Sequence, residues 1–166
     1  MKKILSLIVV LACCCLVATA GNKKQEKANA DTDMFRYDLE YVRSAGSGVV
    51  NVKVWSYSKK KEIATEQSRK NAVHGVLFKG HSGQGSVHNP IVKSATALDE
   101  HAEFFQAFFA DGGDFQRYVE GSVPGTLEVA KQGKEYKVGI VVRVRTNELR
   151  KHLEQANIIR GLSSGF

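Results

Sequence analysis

From Met34 onward the chain alternates. Phe35, Tyr37, Leu39 and Tyr41 are separated by Arg36, Asp38 and Glu40, the period of a strand with one face buried. Ser44, Ala45, Gly46, Ser47 and Gly48 supply a turn, after which Val50, Val52 and Val54 share one face and Asn51, Lys53, Trp55 and Tyr57 the other. Two alternating runs joined by a glycine-rich turn predict a β-hairpin.

The period then changes. Over 59–78, Ala64, Ser68, Ala72 and Val76 recur at i, i+4, and Val73 and Leu77 widen the stripe. This predicts a helix capped by Ser58 whose small residues let it lie close against the sheet. A second helix is expected from Thr96, its candidate N-cap, carrying Leu98, Ala102, Phe104, Phe105, Phe108 and Phe109 until Asp111, Gly112, Gly113 and Asp114 break it. Phe105 and Phe108 are expected to be buried, while the sequence leaves Phe104 and Phe109 open. A short helical turn over 115–119 follows.

Period two returns after Pro124. A strand over 126–130 turns at Gln132 and Gly133 into Tyr136, Val138, Ile140, Val142 and Val144, set against Glu135, Lys137, Gly139, Arg143 and Arg145. A last helix capped by Asn147, with Leu149, Leu153 and Ala156 inward, closes at Gly161. The order ββ-α-α-ββ-α predicts an α+β domain over 34–166, a mainly antiparallel sheet of about four strands with helices packed on one face.

Ahead of this domain stand Lys2 and Lys3, an apolar run from Ile4 to Val17, and Ala18, Thr19 and Ala20. That is the pattern of a secretory signal peptide over 1–20 with an Ala-x-Ala cleavage site. Lipidation is the rival processing, because Val10, Leu11, Ala12 and Cys13 have the form of a lipobox and make Cys13 the residue that would carry the lipid. Residues 21–33 are almost entirely polar and predict a disordered tether. The three cysteines, Cys13, Cys14 and Cys15, all fall in the leader, so disulfides, thiolate metal sites and a cysteine nucleophile are not expected after it. The 166-residue chain without its leader is long enough for one domain with its own core.

The formal net charge is +7. The leader contributes only Lys2 and Lys3, so the exported part keeps +5, a surplus that suits anionic partners. Export points to an envelope protein or an anionic envelope polymer and away from nucleic acid, with membrane attachment only if Cys13 is lipidated.

Residues 75–90, GVLFKGHSGQGSVHNP, approach three catalytic loops. Gln84 stands where a Gly-x-Ser-x-Gly elbow around Ser82 needs its last glycine. Gly80 and Gly85 have P-loop spacing, but Ser86 and Val87 replace the Lys and Ser/Thr. A dinucleotide fingerprint from Gly83 ends in His88. The loop also leaves a predicted helix C-terminus, which disfavours anions, and Gly80 is better read as that helix's capping glycine. His74, His81 and His88, spaced by seven, carry a metal-binding alternative, although no His-x3-His pair on a helix supports it. Ser82 with His81 or His88 and Asp99 or Glu100 carries a serine-hydrolase alternative. His152 reads as solvated. No metal or other cofactor is expected.

The signal peptide, the polar tether, the strand pair and the helix from Ala64 to Ala72 resemble small bacterial envelope proteins of the LPP20, flagellar-assembly-T N-terminal and penicillin-binding-protein-activator type. That resemblance covers 35–79 and the final strand and helix, and it implies a non-catalytic assembly or accessory role in the periplasm or cell envelope. The candidate binding surface is the sheet face bearing Lys53, Trp55 and Tyr57, joined by Lys137, Arg143 and Arg145 from the late strand.

Overall fold

The computed structural model describes residues 35–46 and 48–161. The leader, Cys13 and the tether lie outside the described residues.

The first hairpin forms as its alternation predicts. Strands β1 (Tyr37–Ser44) and β2 (Val49–Ser58) pair antiparallel, Leu39 opposite Val54 and Asp38 opposite Trp55. A bulge between Tyr41 and Arg43 brings Arg43 opposite Asn51. Helix α1 (Lys61–His74) follows, two residues shorter at its start than expected, because Ser58 does not cap it. The Ser58 hydroxyl instead accepts the Lys60 amide from within the turn. Ala64 is buried, and Ala72, Val73 and Val76 belong to the same core as Val52, Val54 and Val142. A polar seam runs through the same contact: Asn71 Nδ2 donates to Ser56 Oγ at 2.8 Å, and Ser68 Oγ lies 3.1 Å from Ser56 Oγ.

The end of α1 widens into a π-helical turn, Gly75–Lys79. Winding with i→i+5 bonds shifts the carbonyls out of the α-helical ladder, and the amides of Ile91 and Val92 take those of Val76 and Leu77 at 3.2 and 2.9 Å. The segment after the glycine-rich stretch is thereby fixed to the helix.

That stretch is itself structured. Strands β3 (His81–Gly83) and β4 (Ser86–His88) form a hairpin whose two loop residues, Gln84 and Gly85, both have positive φ, the backbone of a type I′ turn. The hairpin joins the sheet through one parallel bridge, Glu40 to Ser82. A segment read as a connection is therefore a pair of edge strands.

The expected second helix divides at His101 into α2 (Ala97–Glu100) and α3 (Ala102–Phe108). Thr96 does not cap it; its hydroxyl donates to Glu100 instead. Phe105, Phe108 and Phe109 are buried and Phe104 packs at the core margin. After a 3₁₀ turn, Asp114–Tyr118, strands β5 (Val119–Ser122) and β6 (Glu128–Gln132) both pair with the long β7 (Glu135–Arg145). β7 pairs with β2 from Tyr136 to Arg145. The sheet runs β4-β3-β1-β2-β7-β5, with β6 sharing the β5 side of β7.

The protein is thus α+β, as the element order predicts, but among the described residues the sheet has seven strands rather than about four, and it is mixed through the one parallel bridge of β1 to β3. Strands of three or four residues are too short to show a period in the sequence. Helix α4 (Thr146–Gln155) starts directly from β7, so Arg145 and not Asn147 occupies its N-cap position. It ends six residues before Gly161, where Asn157 adopts the left-handed φ of 57°. Leu149 and Leu153 are fully buried.

Candidate functional site

Strand alternation decides which side chains meet on the sheet face opposite the valines. Residues directly opposite in register share a face, so Asp38, Trp55 and Gly139 form one row, Tyr57 and Lys137 a second, Glu40, Lys53 and Val141 a third, and Asn51 and Arg143 a fourth. The valine face carries the core shared with α1, α3 and α4. Lys53, Trp55, Tyr57 and Arg143 share this face, Arg143 two register rows beyond Trp55, and each is half-buried.

Trp55 is the centre of the arrangement. A β-carbon on Gly139 would overlap the Trp55 six-membered ring, so the indole lies on the bare backbone of the glycine, an aromatic covering for a residue that brings no side chain of its own. Lys53 Nζ stands 4.4 Å and Lys137 Nζ 4.8 Å from the indole centroid, within cation–π range. Lys53 also donates to Glu128 on β6 at 2.6 Å. The Tyr57 hydroxyl donates to Asp38 at 2.9 Å, while the Arg36 guanidinium lies over its ring and pairs with Glu135.

Much of the face is therefore internally neutralised. Among the described residues, Lys137 and Arg143 have no carboxylate partner. Arg143 Nε and Asn51 Oδ1, across the register from one another, are buried without hydrogen bonds. Arg145 does not join them, since its guanidinium reaches Glu120 at 3.2 Å and Glu148 at 3.5 Å.

Trp55 is consequently also a structural side chain. Trp55→Ala uncovers Gly139 and removes a half-buried indole, and we expect a loss of about 2 kcal/mol, read as a lowered urea midpoint at unchanged slope. Trp55→Phe is expected to recover about half of that stability.

The histidines divide into two environments. His74, at the end of α1, is boxed by Phe35, Phe78 and Phe109, with Phe35 stacked on it at 3.7 Å. Its Nδ1 is hydrogen-bonded to the Tyr37 hydroxyl at 2.7 Å. Burial, reinforced by Lys79 and Lys70, lowers His74 to about 3, and burial pushes the Tyr37 phenol up. His81 and His88 are cross-strand partners on the β3–β4 hairpin, stacked at 4.6 Å and 12°, and Tyr41 packs against both. Their seven-residue spacing is thus the consequence of a hairpin with a two-residue turn.

This geometry disfavours the two chemical alternatives. Parallel stacked rings direct their in-plane nitrogen lone pairs side by side, not toward one point, and among the described residues no group of three or more His, Cys, Asp or Glu is placed to hold a metal ion. Ser82 alternates with His81 on β3 and faces the other way, opposite Val87. The Ser–His contact that a hydrolase needs is not formed, and Glu100 is engaged by Thr96 at 2.6 Å. His152 is not solvated either: its ring packs 5.6 to 5.9 Å from Phe104, Phe108 and Tyr118, because α4 turns that side toward α3.

No family model, curated protein or solved structure matches the chain. Among the described residues, no helix is long and apolar enough to cross a membrane.

Proposed function

We propose that the protein is a non-catalytic, exported binding or assembly module of a bacterial cell envelope that docks an anionic partner on the open face of its sheet. The observation that carries this reading is the two cations on that face without carboxylate partners, Lys137 beside the Trp55 and Tyr57 rings and Arg143 further along the same strand opposite Asn51. Export rests on the signal-peptide pattern of 1–20, with lipid anchoring at Cys13 as the alternative, and the accessory role on the resemblance to LPP20-type envelope proteins. The partner is an acidic envelope protein or an anionic envelope polymer, because two uncompensated charges on one sheet face favour negative ligands of either kind.

Lys137→Glu with Arg143→Glu tests this directly. Crosslinking in the native envelope is expected to recover the partner about tenfold less from the double variant than from the parent. The thermal midpoint should fall somewhat, since Arg143 Nε is buried beside Asn51 and Lys137 packs on Trp55, so recovery is compared on protein shown to be folded. Equal recovery from a folded double variant would remove the face from consideration.

A further inference from the structure

A separate cavity of about 310 Å³ lies at the other side of the sheet, between the β3–β4 hairpin and the start of α4. Tyr41, His81, His88, Thr146, Asn147 and Arg150 contribute its polar and aromatic lining, and no carboxylate is among its lining residues. Arg150 has no ion-pair partner among the described residues. The nearest acid of the helix's first turn, Glu148, engages Arg145 instead.

His81 supplies the independent sign of a ligand. Its ring lines the cavity, is only 8% exposed, and has neither Nδ1 nor Nε2 hydrogen-bonded to protein. Buried polar nitrogens are ordinarily paired, and a neutral imidazole offers one donor and one acceptor. α4 has ten residues and no side-chain cap, and Thr146 and Asn147 at its start border the cavity. Glu148 in its first turn and the Gly48 carbonyl on the Asn147 amide offset part of its dipole, so the anion-binding charge comes mainly from Arg150.

We propose that this cavity binds a small oxyanion-bearing molecule, a carboxylate or a phosphate monoester, held by Arg150 and the His81 ring at the start of α4. The volume, near the lower end for small-molecule pockets, limits the ligand to a compact one, and the Tyr41 and His88 rings suit a flat apolar body behind the anionic head. Burial lowers His81 to about 4, with His88 adding to the effect, so at neutral pH its contribution is a hydrogen bond and the charge comes from Arg150.

The test uses full-length protein with labelled histidines, titrated with phenyl phosphate and, separately, with benzoate. Either probe is expected to shift the His81 and His88 ring resonances in a saturable way. Arg150→Gln should weaken binding about tenfold or more without altering the thermal midpoint, and Lys137→Glu, on the opposite face, should bind as the parent does. A response to phenyl phosphate alone assigns a phosphate head, a response to benzoate alone a carboxylate, and a response to both the shared oxyanion. No saturable shift with either probe up to roughly 10 mM, or equal affinity in folded Arg150→Gln, overturns the proposal.

Discussion

Gly80→Ala is expected to lower stability by about 3 kcal/mol, because two costs coincide at this position. Gly80 has φ 68° and ψ −173°, a region that is almost exclusively glycine's. A β-carbon there would also overlap the backbone carbonyl oxygen of His88, which cannot move without breaking the hairpin. Gly85 is the control: its φ is 76° but a β-carbon would meet nothing within 4 Å, so Gly85→Ala should cost only about 1 kcal/mol. Thermal unfolding of the two variants checks the contrast, with a midpoint drop of roughly 10 °C expected for Gly80→Ala. Similar small losses in both would show that the hairpin can relax away from β1.

Acidification is the second large effect. His74 and His81 are lowered by burial to about 3 and about 4, whereas in the unfolded chain each titrates near 6.5. Between those values the unfolded state binds protons that the folded state does not, so stability is full above about pH 6.5 and falls as the pH drops toward 4 and then 3. From pH 7 to pH 5 each histidine should cost about 2 kcal/mol. Urea unfolding as a function of pH measures the slope, and His74→Gln should remove about half of it while lowering stability at pH 7 through loss of the Tyr37 contact. A stability profile flat between pH 7 and pH 5 would contradict both shifts.

The parts of the fold legible in the sequence are those with long periods. Val50, Val52 and Val54, and Val138 to Val144, declared their buried face because five or more alternations leave no ambiguity. Ala64, Ala72 and Val76 did the same for α1. The hairpin at His81 to His88 was hidden because Gly80, Gly83 and Gly85 look like breakers when read singly. Their geometry shows them as one start, one strand end and one turn residue. The expected caps fail for other reasons: Ser58 and Thr96 have competing partners nearby, the Lys60 amide and Glu100, and Asn147 lies inside α4, which starts at Thr146. That Lys53, Trp55, Tyr57, Lys137 and Arg143 share one sheet face is legible from alternation, whereas the ion pairs that take Arg145 are not. That Trp55 sits on Gly139 depends on interstrand register, which the sequence does not print. His81 and Arg150, sixty-nine residues apart, line one cavity through topology.

The division of one edge strand into β5 and β6 has a consequence for how molecules of this protein treat one another. Ser122 opposes Val142 and Glu128 opposes Gly139, so the five residues 123–127, Pro124 among them, cross a space that two residues of β7 span. An unpaired strand edge is a template on which another chain can add. Here an incoming strand meets four residues, then a protruding interruption, then five more bearing Glu128 and Lys131. At the opposite margin β4 offers only three residues. Neither border gives a continuous row long enough for sheet-to-sheet growth, and a seven-stranded sheet with two exposed borders is thereby guarded against running on from one molecule into the next.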